Sequence, residues 1–122
     1  MKPMSVVLAS TKQIEPAMMA RLQEYFRQVA IADSMDELRS SVLKNRAETV
    51  FVDLGVVTLE QVAQLHAELA HIRIICTHPD PVDALQQQCR AAGALDCVNC
   101  ADVRAMVLAA QVGIPITRAQ AA

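Results

Sequence analysis

Short runs of aliphatic and β-branched residues alternate with longer amphipathic segments along most of the chain. Runs such as "TVFVDL" and "IRIICT" are almost continuously apolar, as expected for parallel strands that are buried on both faces. The pattern predicts five strands, at about residues 4–9, 29–32, 49–54, 72–77 and 94–99.

Each predicted strand is followed by a segment with helical periodicity. In the first of these segments, Pro16 suits a first helical turn, and Met18, Leu22 and Phe26 recur at the four-residue spacing of one helix face. The segment at residues 101–112 contains the apolar run "AMVLAA", which suggests a surface that another chain covers.

Capping residues mark the ends of the predicted helices. Ser34 with Glu37, and Thr58 with Gln61, have the spacing of a capping box. Ahead of the fourth helix, Asp80 is a candidate N-cap and Pro81 a candidate first helical residue, and Gly93 is placed to end that helix. Five strand–helix units of this kind predict one α/β domain with a parallel sheet between two layers of helices.

Composition narrows the functional classes. The formal net charge is −2, from 11 basic and 13 acidic residues without a basic stripe, and aromatic residues make up only 2%. These values disfavour nucleic-acid binding by this domain. No apolar run approaches the length of a membrane span, and the amino terminus does not resemble a signal peptide. We therefore expect a cytoplasmic protein whose four cysteines are thiols.

Ligands of open α/β sheets bind at the carboxyl ends of the strands. No glycine-rich dinucleotide or phosphate-binding loop follows any predicted strand. The side chains predicted to lie at this edge are Ser10, Thr11, Asp53, Thr77, His78, Asn99 and Cys100.

Three stretches in the same order resemble the receiver domain of bacterial response regulators. "VFVDL" resembles the strand that carries the phospho-accepting aspartate, here Asp53, and "IICT" resembles the strand that ends in a hydroxyl residue, here Thr77. "RAAGALDCVNC" resembles the family run AGADDYLxKP. The resemblance implies a flavodoxin-like, receiver-type (βα)5 three-layer sandwich over residues 1–113, with strand order 2-1-3-4-5, and a tail at residues 114–122.

The chain departs from the family pattern at the residues that perform phosphoryl chemistry. Ser10 and Thr11 stand near the positions where receivers carry two metal-binding acidic residues. Cys100 replaces the lysine, Cys97 the switch aromatic, and His78 the small residue after the hydroxyl. Mg²⁺ prefers carboxylate oxygens, and phosphoryl transfer depends on charge neutralisation.

The departures predict a degenerate, or pseudo-, receiver, which is a non-catalytic signalling and interaction module without a cofactor. By analogy with receivers, self-association or partner docking is expected through the fourth helix, fifth strand and fifth helix, in parts of residues 82–90, 94–98 and 103–112. One alternative is an atypical receiver that is phosphorylated on Asp53 with Mg²⁺. A second is a thiol-redox or metal sensor that uses Cys97 and Cys100.

Each candidate also has a simpler structural interpretation. Asp53 can hydrogen-bond to nearby backbone or to Thr77, Thr77 can start the following turn, and His78 can be an exposed loop residue. Cys97 and Cys100 are three apart, so within a strand they point to opposite faces, about 10 Å apart. Small apolar filling of the core is the expectation for the other two cysteines, Cys76 and Cys89.

Overall fold

The computed structural model describes residues 5–9, 16–26, 28–69 and 71–112. Within these ranges a parallel sheet is covered by helices on both faces. The strands are β1 (Ser5–Ala9), β2 (Gln28–Ala32), β3 (Thr49–Asp53), β4 (Arg73–His78) and β5 (Asp96–Asn99). The helices are α1 (Pro16–Tyr25), α2 (Met35–Asn45), α3 (Leu59–Glu68), α4 (Asp83–Ala91) and α5 (Val103–Val112).

The strands are hydrogen-bonded in the order β2-β1-β3-β4-β5, and every pairing is parallel. The predicted α/β class and strand order are therefore confirmed. β4 begins and ends one residue later than predicted. β5 begins at Asp96, two residues later than predicted, and ends at Asn99 as predicted. The predicted tail at residues 114–122 lies outside the described residues, so the domain boundary stays a prediction.

Alternate residues of the central strands supply two separate cores. Val50 and Val52 of β3 belong to the core beneath α2, α3 and α4, whereas Phe51 belongs to the core beneath α1 and α5. Phe51 meets Phe26 edge to face, with ring centroids 6.0 Å apart. The continuous apolar run of β3 is thus explained by burial on both faces.

Local capping signals fix the starts of two helices. Thr58 and Gln61 form both bonds of a capping box at α3, and the Ser34 hydroxyl accepts from the Glu37 N–H at α2. The Glu37 carboxylate accepts from the N–H of Asp33, one residue before the position predicted. Both predicted helix starts are confirmed.

The predicted start of α4 is wrong. The helix begins at Asp83 after Val82, and Asp80 does not cap it. Instead the Asp80 N–H donates to Nδ1 of His78, and the Asp80 carbonyl accepts from the Val82 N–H. These bonds hold the chain in a turn, and Val82 is still extended with φ −67° and ψ 163°. The end of α4 is as predicted, with Gly93 at φ +109°.

The apolar run in α5 is largely covered by the chain's own core. Self-association through this helix stays a prediction. Met106 and Val107 are 1% and 6% exposed and pack with Leu22 and Phe26 of α1. Leu108 is the large side chain of the run that reaches the surface, at 55% exposed. No helix of the described residues is both long enough and apolar enough to cross a membrane.

Candidate functional site

The carboxyl ends of β3, β4 and β5 bring several predicted site residues to one edge of the sheet. Asp53 lies opposite Thr77 in the register of β3 and β4, and His78 lies opposite Asn99 in that of β4 and β5. Cys100 follows β5 directly, and its N–H donates to the His78 carbonyl at 3.2 Å. Ser10 and Thr11 lie outside the described residues.

The Asp53 carboxylate is bonded to the loop that follows it. Its Oδ1 accepts the N–H of Gly55 at 2.8 Å, and its carbonyl accepts the N–H groups of Val56 and Val57 at 2.8 and 2.9 Å. Asp53 is partly buried. The simpler structural interpretation of Asp53 therefore accounts for its contacts, through the backbone and not through Thr77.

Thr77 is a buried strand residue, 6% exposed, and its hydroxyl donates across the sheet to the Val52 carbonyl at 3.4 Å. This hydrogen bond joins β4 to β3. Thr77 therefore does not start the turn that follows β4, as its simpler structural interpretation had it. The Thr77 carbonyl accepts the N–H of Leu54, which fixes the exit of the chain from β3. A hydroxyl engaged in this way must rotate away from Val52 before it can donate to a ligand.

His78 is half-buried at the end of β4 and not in the loop. Its Nδ1 accepts the Asp80 N–H at 2.9 Å, so Nδ1 carries no hydrogen in this bond, and Nε2 has no hydrogen-bond partner among the described residues. The neighbouring Asn99 donates from its amide to the Pro79 carbonyl and accepts the Ala101 N–H. The two side chains therefore shape the loops at this edge.

In the described part of the chain, the carboxyl ends of the strands show no cationic group bonded to Asp53 that would neutralise a phosphoryl group. Among the described residues, no hydrogen bond or ion pair joins Asp53 to a cationic side chain. The same residues contain no group of three His, Cys, Asp or Glu side chains arranged to hold a metal ion. Within the described residues Asp53 thus offers one side-chain carboxylate, and Mg²⁺ would have to take its other oxygen ligands from elsewhere.

The cysteines converge in a way that the sequence did not indicate. Cys76 and Cys97 are register partners on β4 and β5, and the Cys89 thiol of α4 lies within hydrogen-bonding reach of both. All three are fully buried in the core beneath α2, α3 and α4. Cys100 is outside this group and partly exposed. Cys97 is thus grouped with Cys76 and Cys89, and the redox or metal alternative for Cys97 with Cys100 stays a prediction.

Burial determines the chemistry of the three-thiol cluster of Cys76, Cys89 and Cys97. Desolvation, with a smaller effect of Cys89, raises the pKa of the Cys97 thiol to about 12 and raises the pKa of Cys76 even further. Thiols in such surroundings are protonated and poor nucleophiles at neutral pH. The cluster therefore serves as packing, which confirms the expectation for Cys76 and Cys89 and extends it to Cys97.

Two features of the structure were missed at the level of sequence. Gln86 of α4 donates from its amide to the Cys97 carbonyl at 3.4 Å, which ties the helix to β5. Between α1 and α5 lies a groove of about 530 Å³, lined by Arg21, Tyr25, Arg104, Val107 and Leu108. The sequence does contain a signal for the groove. In both helices an arginine is followed four residues later by a large apolar residue.

No family model and no curated protein matches the chain. Solved structures do match. A response regulator from Thermotoga maritima is 16% identical with a TM-score of 0.73, and the match covers 88% of this chain and 93% of that one. The signal receiver domain of a DNA-binding response regulator from Colwellia psychrerythraea 34H is 15% identical with a TM-score of 0.70, over 87% and 94% of the two chains.

A third structure is described as an atypical orphan response regulator with a phosphorylation-independent regulatory mechanism. It is 15% identical with a TM-score of 0.71, over 89% of this chain and 93% of that one. At these identities the likeness concerns the fold. The chain has the flavodoxin-like α/β fold of response-regulator receiver domains.

Proposed function

We propose that the chain is a signalling and protein-interaction module of the pseudo-receiver type, which is neither an enzyme nor efficiently phosphorylated. The observation that carries the proposal is the Asp53 carboxylate. It is bonded to the Gly55 N–H and has no cationic partner among the described residues.

The charge requirements of phosphoryl transfer support this proposal. The transferred group carries negative charge that metal ions and cationic side chains must balance, and these groups supply most of the catalysis. Cys100 occupies the exit of β5, where the resemblance places a lysine. An uncharged side chain at this position cannot hold the phosphoryl oxygen as an ammonium would.

The receiver fold does not require phosphorylation in order to carry a signal. One of the structures that share it is described as having a phosphorylation-independent regulatory mechanism. This description applies to that protein, and it supports the proposal by analogy. By the same analogy, the module acts in the cytoplasm through another protein or a second copy of itself.

The face formed by α4, β5 and α5 is the proposed contact surface. Val82 and Leu95 expose apolar side chains near this face, and Arg90 pairs with Asp96 across it at 3.1 Å. An exposed pair of this kind contributes little to stability and is available for exchange with a partner. Replacement of Val82 and Leu95 by serine is expected to weaken partner capture or self-association without unfolding the domain.

A titration with Mg²⁺ and beryllofluoride, followed by NMR of the backbone amides, tests the proposed loss of phosphorylation. We expect no saturable shifts at Asp53, Gly55 or Thr77, and no phosphate-sized mass increase after incubation with acetyl phosphate. The Asp53→Asn variant is the matched control, because it removes the acceptor charge and keeps the shape of the side chain.

The alternative, an atypical receiver phosphorylated on Asp53, makes the opposite predictions. Saturable amide shifts that are absent in Asp53→Asn, together with a labile phosphate on the wild-type chain, would establish it and overturn the pseudo-receiver proposal. An established receiver titrated in parallel shows that the reagents are active.

A further inference from the structure

The groove between α1 and α5 has a repeated arrangement of charge and apolar surface. Each helix contributes an arginine and, one turn later, a large apolar side chain: Arg21 and Tyr25 from α1, Arg104 and Leu108 from α5. Val107, which is nearly buried, also lines the groove. Residues four apart lie on the same face of a helix, so both pairs face the groove.

The charges in the groove are unbalanced. Neither Arg21 nor Arg104 forms an ion pair with a carboxylate of the described residues, and none of the described residues that line the groove is acidic. The chain as a whole carries a formal net charge of −2, so this is a local excess of positive charge. Guanidinium groups bind carboxylates through paired hydrogen bonds, and a carboxylate placed here would meet two of them.

The apolar half of the groove is exposed to solvent. Tyr25 is 44% exposed and Leu108 is the more exposed of the two, so both can bury further area against a partner. Tyrosine and arginine are the residues that most often carry binding energy at protein interfaces. The groove therefore combines an anion-binding part with an apolar part about one helical turn away.

We propose that the α1–α5 groove binds a segment of a partner protein in which a carboxylate side chain lies one helical turn from apolar side chains. The carboxylate meets Arg21 and Arg104, and the apolar residues pack on Tyr25 and Leu108. This surface lies on the α1 side of α5, apart from the face formed with α4 and β5. The proposal does not rest on the chemistry at Asp53.

Charge and shape select this occupant over a nucleic acid. Phosphate backbones are bound by extended basic surfaces, whereas this groove holds two arginines beside apolar side chains in an acidic chain. A carboxylate-bearing peptide satisfies both halves of the groove at once.

Selection of a random displayed peptide library on the immobilised full chain tests the proposal. We expect the recovered peptides to be enriched in Asp or Glu together with Leu, Ile or Phe. A labelled recovered peptide is then titrated by fluorescence anisotropy against wild type, Arg104→Glu and Leu108→Ala. Loss of a charge-assisted pair predicts an affinity about tenfold or more lower for Arg104→Glu.

The helix α2 offers matched controls. Lys44→Glu and Leu43→Ala make the same kinds of change at exposed positions away from the groove, and both are expected to bind the peptide as wild type does. Circular dichroism of every variant establishes that it is folded.

Three outcomes overturn the assignment. The first is a library without acidic enrichment, or recovered peptides that bind Arg104→Glu as tightly as wild type. The second is a monomer–dimer equilibrium in sedimentation that Arg104→Glu abolishes, since the occupant is then a second copy. The third is a single-stranded oligonucleotide that binds more tightly than the peptide and loses affinity in Arg104→Glu.

Discussion

The Cα of Gly93 packs directly against the ring of His66, so that a β-carbon on Gly93 would lie 2.5 Å from Cγ of the histidine. Gly93 also has φ +109°, a conformation that L-amino acids with side chains rarely adopt. Steric exclusion and backbone geometry thus both require glycine where α4 turns back towards β5. The contact connects the end of α4 to α3.

Gly93→Ala is expected to lower the free energy of unfolding by about 2 kcal/mol or more, because backbone strain and the contact with His66 act together. Urea denaturation measures the change. In the His66→Ala background the contact is relieved while the backbone strain persists, so the cost of Gly93→Ala should fall but not vanish. An equal cost in both backgrounds would contradict the role of His66.

Asp53→Ala is expected to lower the free energy of unfolding by about 1 kcal/mol, since the Gly55 N–H loses its acceptor. Asp53→Asn retains an acceptor oxygen and is expected to stay within about 0.5 kcal/mol of wild type. Urea denaturation at neutral pH distinguishes the two variants. Equal stability of Asp53→Ala and wild type would show that the bond does not support the loop.

Cys100 is expected to react with a thiol reagent much faster than the three other cysteines, because it alone of the four is outside the core. Labelling with iodoacetamide followed by peptide mass spectrometry measures each rate. The Cys100→Ser variant should lose the fast phase, and urea should expose Cys76, Cys89 and Cys97 together. Fast labelling of Cys97 in the folded protein would be inconsistent with its burial.

Stability is expected to fall as the pH rises above about 9. Burial raises the pKa of Cys76 and Cys97 above the ordinary thiol value of 9.0, so the unfolded chain releases protons that the folded chain retains. Each thiol then contributes a slope of roughly −1.4 kcal/mol per pH unit, beginning near pH 9 and ending near the folded pKa, which is about 12 for Cys97. Below pH 9 both contributions are constant.

Urea denaturation between pH 8 and pH 11 measures this dependence. Cys97→Ala removes one ionising group, so its stability should decline less steeply with pH even though the variant is less stable overall. Cys100→Ser is the control and should keep the wild-type slope. Identical slopes for Cys97→Ala and wild type would contradict the assigned cause.

Much of the fold follows from local sequence. The apolar runs determined which segments become strands. The capping residues Ser34 and Thr58 and the terminating glycine Gly93 determined helix ends. These effects act between residues a few positions apart, so they can be inferred without knowledge of the packing. Asp53, Thr77 and His78 could be placed at one edge because parallel strands end together.

Tertiary structure decided the features that depend on distant segments. Cys97 meets Cys76 and Cys89 and not its sequence neighbour Cys100, because adjacent parallel strands and a covering helix bring one face of each together. α4 starts later than predicted because the Asp80 carbonyl accepts the Val82 N–H in a tight turn, and the first helical bond runs from the Gln86 N–H to the Val82 carbonyl. The α1–α5 groove likewise forms because two helices that are remote in sequence pack side by side. Spacing along the chain sets which face of a helix a residue occupies, but it does not set which other element packs against that face.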